Sequence, residues 1–162
     1  MKTVLALLFF VYSLSAHQGI FQSVDAKEAI LLQKGVEKSS CPLCGMDLPM
    51  FYKTSHAIKL KGGEYKQYCS LNCMVEDMEL ESLKERKKEI VQILVVDTKS
   101  FKLIDAKSAF YVYASNKPGT MSIKSKYAFE HLEDAKKFQK QNSGEILDFK
   151  TIYSLTLQEF SH

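Results

Sequence analysis

Sulfur is scarce over most of this chain: outside residues 41–78 only Met1 and Met121 carry it. Also missing are a glycine-rich phosphate loop, a His-Glu-x-x-His helix and a serine nucleophile elbow. Nucleotide hydrolysis, zinc proteolysis and serine-esterase chemistry therefore have no foothold. A pair such as Cys69 with His131 has the groups of a nucleophile and a base, but no spacing selects it, and the chain is expected not to be an enzyme. Charge of either sign is not in large excess: 22 basic against 19 acidic residues give +3 and a pI near 8.5. The lysine runs at 84–88 and 136–140 fall on helical patterns, where a solvated face explains them. No clustered basic face is legible, so nucleic acid is not an expected partner. With 46% hydrophobic and 25% charged residues over 162 positions, the composition is that of one globular domain or two very small ones.

Long apolar runs are limited to one, Val4 to Tyr12, preceded by Lys2 and followed by Ser13, Ser15 and Ala16. Basic, apolar and small segments in that order predict a secretory signal peptide at 1–16, too short to remain as a membrane span. No cysteine follows the run to accept a lipid. The expectation is an exported, periplasmic protein with no mature transmembrane segment.

What is present is concentrated. Cys-Pro-Leu-Cys-Gly-Met at 41–46 and Cys-Ser-Leu-Asn-Cys-Met at 69–74 hold all four cysteines, and Met46, Met50, Met74 and Met78 lie in the same stretch. Two close cysteine pairs separated by a hairpin-length insert predict a soft-metal site. Thiolate and thioether donors together favour Cu(I); four thiolates also suit structural zinc. In an oxidising compartment two disulfides are a third possibility, which would make the chain a stapled interaction domain without metal. The candidate ligands are Cys44, Met46, Cys73, Cys69 and Cys41, followed by Met121 and His56. Met74 and Met78 fall with Leu71 and Val75 on one apolar helical stripe and are expected in the core.

Around this stretch the patterning predicts an α+β protein. Phe21 to Gly35 has a helical stripe, so residues 17–40 are expected as a helix and linker. Strands are expected at 55–60 and 65–68 about the Gly62-Gly63 turn, a helix from 71 to about 88, and a buried strand at 90–96. The order recurs: strands at 108–114 and 121–129, a helix from 132 to near 144, a strand at 145–149 and a terminal helix or strand at 151–160. Units at 41–97 and 98–162 would then each be ββαβ, an internal duplication with helices packed on antiparallel sheet.

Cys41 to Met46, followed by a hairpin and Tyr68-Cys69-Ser70-Leu71-Asn72-Cys73-Met74, resembles the NosL family of nitrous oxide reductase accessory proteins. Ala109 to Ser115, the Met121 to Phe129 segment and Glu133-Asp134-Ala135 extend the similarity, over roughly residues 38–150. The resemblance implies two similar ββαβ units, a fold shared with the organomercurial lyase, and a Cu(I) protein delivering copper to a periplasmic enzyme or its assembly complex. The family's Cys-x-Met ligands fall on Cys44 and Met46, and its second-unit methionine on Met121. The chain departs from the family in lacking a lipid-accepting cysteine and in having Cys41 and Cys69. With these, Cys44, Cys69 and Cys73 stand in the order of small treble-clef-like heavy-metal modules.

Overall fold

In the computed structural model, residues 19–80 and 84–160 are described; the expected signal peptide lies outside them. The chain enters as an irregular strap, then forms β1 (His56–Leu60), β2 (Tyr65–Tyr68), α1 (Leu71–Glu79), β3 (Ile90–Val96) and β4 (Leu103–Asp105). The second half supplies β5 (Phe110–Tyr113), β6 (Lys126–Phe129), α2 (Leu132–Asn142), β7 (Glu145–Leu147) and α3 (Phe149–Gln158).

Two antiparallel sheets result, ordered β2-β1-β3-β4 and β6-β5-β7. The fold is α+β as expected. In both halves the order is strand, strand, helix, strand, and the first strand of the half lies between the second and the third.

The halves share a core. Met74 and Val75 of α1, Ile58 of β1, Tyr111 of β5 and Ile152 of α3 belong to one buried apolar cluster. A smaller cluster of Val112, Tyr127, Phe129 and Ala135 lies under α2 and gathers in Phe21 from the strap. Two polar joints reinforce the contact. His56 of β1 stacks on Tyr111 of β5 at 5.9 Å. Lys126 of β6 reaches across to Asn72 of α1 (2.9 Å) and to Glu159 beyond α3 (2.9 Å).

Several expected elements differ. Residues 19–40 form turns and extended chain, not a helix. Their apolar side chains go to different places: Phe21 joins the α2 cluster and Leu31 the main core. Side chains of the body bind their backbone instead, with Ile30 N–H donating to the Tyr52 hydroxyl and Leu32 N–H to Gln67 Oε1, both at 2.9 Å. Helix α1 ends at Glu79 with Leu80 extended, where its apolar stripe stops at Met78. The strand expected from 121 begins only at Lys126. Met121 has φ 54°, and the Ser115 N–H bonds the Ser125 hydroxyl at 2.9 Å in place of a ladder partner. The expected terminal helix or strand is a helix, Phe149–Gln158, started by Asp148, whose carboxylate accepts from Thr151 N–H at 2.8 Å. Strand β4 had no sequence counterpart.

Candidate metal centre

The loop at 41–46 is a tight knuckle. Ser40 and Asp47 pair in an antiparallel bridge, Cys41 N–H donates to Met46 O (2.8 Å) and Gly45 N–H to Cys41 O (2.9 Å). Gly45 sits at φ +75°, the left-handed region that glycine enters without steric cost. That turn brings Cys41 and Cys44 to one side.

The other pair is placed by the start of α1. Cys69 immediately precedes Ser70, the N-cap, whose hydroxyl accepts from Cys73 N–H at 3.2 Å. Cys73 is therefore fixed in the first helical turn, one turn on from Cys69. Thr54 anchors the corner from below: its hydroxyl donates to Cys69 O at 2.8 Å. Beyond the cysteines, Tyr68 and Lys66 of β2 both bond Asp77 of α1, at 2.7 and 2.9 Å, which locks strand to helix.

All four sulfurs lie within 4.8 Å of one another. Cys44 Sγ is 3.5 Å and Cys73 Sγ 3.6 Å from Cys69 Sγ. Four thiolates about a tetrahedral ion with metal–sulfur bonds near 2.3 Å stand roughly 3.8 Å apart, so little movement separates this arrangement from a four-thiolate shell. No disulfide joins them; all four are thiols. Cys41, Cys69 and Cys73 are buried, and Cys44 alone is partly exposed.

The thiols are electrostatically unequal. Hydrogen bonds from Cys69 and then Cys73 hold Cys41 well below the usual thiol range, against the opposing effect of burial. Cys69 and Cys73 are pushed up, first by their bonds to Cys41, with burial adding to the rise. The position at a helix N-terminus also favours negative charge on sulfur. Loading with metal must release the protons that the thiols hold.

The chain belongs to the NosL family. That family's model matches residues 34–156, most of the chain and the whole of both sheets. Among solved structures, the chain is similar to the copper chaperone NosL from Shewanella denitrificans. The two are 22% identical with a TM-score of 0.53, over 75% of this chain and 96% of that one. No curated protein matches the chain. No helix among the described residues is long and apolar enough to cross a membrane.

Against this family frame the expected site residues divide. Cys41, Cys44, Cys69 and Cys73 converge. Met46 shares the knuckle and packs, partly buried, against the same core cluster. Met121 is 45% exposed on the loop between β5 and β6. Its neighbour Thr120 bonds the Thr54 hydroxyl at 2.8 Å, so this loop of the second half leans on the corner that holds Cys69.

His56 is not among the converging donors. Its Nδ1 faces Thr54 O at 3.0 Å and must donate there, which leaves Nε2 to accept from the Tyr111 hydroxyl at 3.3 Å. Both nitrogens are engaged, and complete burial lowers its pKa to about 4. It stands at the joint between the sheets, apart from the cysteine cluster. Thr54 and Asp77, which position the site, had no distinguishing sequence signal. Ser70 did have one, as a serine directly ahead of an apolar periodic run.

Proposed function

We propose that this NosL-family chain is an exported, non-enzymatic Cu(I)-binding protein. On this proposal it delivers copper in the periplasm towards maturation of nitrous oxide reductase or another cuproprotein. The observation that carries it is the cluster of four thiols held within 4.8 Å at the knuckle bearing the family's Cys-x-Met element. The structural neighbour described as a copper chaperone supports it.

Delivery requires that the ion leave by ligand exchange. Cys44 is the donor nearest solvent, while the other three cysteines are enclosed. An incoming donor from a receiving protein meets the Cys44 side first. Met46 on the same loop and exposed Met121 are the proposed thioether donors for the ion in transit, since weak neutral sulfur holds Cu(I) without trapping it. The shared ββαβ order and strand order support descent of the halves from one duplicated unit.

One observation favours structural zinc as the second assignment. The 3.5 and 3.6 Å sulfur separations are close to those of a closed four-thiolate shell. Anaerobic Cu(I) titration of the reduced protein against a competing chelator, repeated with zinc present, separates the two. Tight binding of copper that zinc does not displace, weakened at least about tenfold in Cys44→Ser, supports delivery. Copper readily displaced by zinc, with unfolding on chelation, assigns a structural zinc site instead.

A further inference from the structure

Away from the cysteines, an open cleft of about 410 Å³ lies between the strap, the end of β3 and helix α2. Its floor is aromatic. Phe138 stands between Phe129 and Phe21, with ring centroids at 5.1 and 6.1 Å. Lys53, Lys99, Lys117 and Lys137 line it from four separate parts of the chain. Their convergence is invisible in the sequence, where the lysines are dispersed.

The only carboxylate lining the cleft, Asp134, is already bonded to Lys99 at 2.7 Å. Lys53 and Lys117 hold their ammonium groups over the Phe21 ring, at 4.7 and 5.0 Å from its centroid. Lys117 and Lys137 have no carboxylate partner among the described residues. Thr98 also lines the cleft, and its hydroxyl is buried without a hydrogen-bond partner. Two cations without a carboxylate, Lys117 and Lys137, share one depression with the partly exposed rings of Phe21 and Phe138 and with the unpartnered Thr98 hydroxyl.

We propose that this cleft docks an acidic segment of a partner protein, its carboxylates meeting Lys117 and Lys137 and an apolar side chain lying on the phenylalanine floor. Charge complementarity sets the sign of the ligand: with Lys99 committed to Asp134 and Lys53 within the field of Glu28, Lys117 and Lys137 still leave the cleft positive and repel a basic segment. The open form suits side chains of a passing chain better than an engulfed metabolite, which a pocket buries over most of its surface. The cleft also abuts the metal corner through the backbone, because Lys53 precedes Thr54, whose hydroxyl bonds Cys69 O. The proposal stands independently of which metal the cysteines take.

The test is fluorescence anisotropy with a short labelled peptide of alternating glutamate and phenylalanine. Peptides with lysine for glutamate, or glycine for phenylalanine, serve as controls. The glutamate–phenylalanine peptide should bind best, and more weakly as salt is raised. Joint Lys117→Glu and Lys137→Glu substitution should weaken it at least about tenfold, with unchanged circular dichroism and metal titration. Equal binding of the lysine peptide, affinity unaffected by the double charge reversal, or no binding by any peptide would each overturn the proposal.

Discussion

The two halves of this protein share a topology and differ in what they do with one corner. In the first half the junction of β2 and α1 carries Cys69, Ser70 and Cys73, and the β1–β2 connection is a tight turn at 61–64. In the second half the matching junction of β6 and α2 carries Phe129, Glu130 and His131, and the connection between β5 and β6 is opened into a loop spanning 114–125. One corner faces a cysteine knuckle; the other lines an aromatic cleft. A ββαβ frame supplies a strand end beside a helix start, and the side chains placed there decide whether that geometry gathers sulfur or packs rings.

The largest effect expected from breaking this comparison is at the cysteines. Cys69→Ser should cost at least about a hundredfold in metal affinity, because it removes the sulfur that lies within 3.6 Å of both Cys44 and Cys73. Glu130→Ala, at the equivalent corner, should leave metal titration unchanged. Equal losses in the two variants would show that affinity reports general integrity of the fold.

A second prediction concerns the joint at His56. Its folded pKa of about 4 lies below the ordinary 6.5, so the native state favours the neutral ring. The resulting stability is fully present above pH 6.5 and is lost as pH falls towards 4, by roughly 3 kcal/mol across that window. Denaturant unfolding of the metal-free reduced protein between pH 4 and 7 should show that slope, and His56→Gln should flatten it. A slope retained in the variant would place the titration elsewhere.

Lys126 is the other joint. Lys126→Met leaves Glu159 and Asn72 without their shared donor; with Glu159 still in part reached by water, about 2 kcal/mol of destabilisation is expected in urea unfolding. Separate unfolding transitions in this variant would mean that the halves cohere mainly through it, whereas a single weakened transition would make them one cooperative body. The smallest effect is at the helix starts. Ser70 caps α1 with its side chain, while His131 makes no capping bond to α2. Ser70→Ala should cost about 1 kcal/mol and His131→Asp should add about 0.5 kcal/mol, both measurable as shifts in the thermal midpoint.

Much of the architecture was legible because its signals are local. Gly62 and Gly63 marked the first hairpin, the Leu71–Met78 stripe marked α1, and the β-branched run at 90–96 marked β3. Where the expectation failed, a longer-range partner outweighed the local pattern. The strap's apolar spacing is helical, yet its residues serve two clusters, and its backbone is bonded by Tyr52 and Gln67 from elsewhere in the chain. The strand expected at 121–125 is displaced by the Ser115–Ser125 hydroxyl bonds and the left-handed turn at Met121.

The sequence by itself determined which atoms this protein has for binding a soft metal. All its cysteines occur as two close pairs, and short spacing forces each pair to one place, the first by a glycine turn and the second by the helical repeat. Only the tertiary structure decided which candidates meet. It brought the two pairs together across β1 and β2, left Cys44 nearest solvent, and turned His56 inward to hold Tyr111. It also collected Lys53, Lys99, Lys117 and Lys137 around a single cleft. Spacing constrains residues one turn or one hairpin apart; convergence over longer separations comes from packing of the two sheets and their helices into one core.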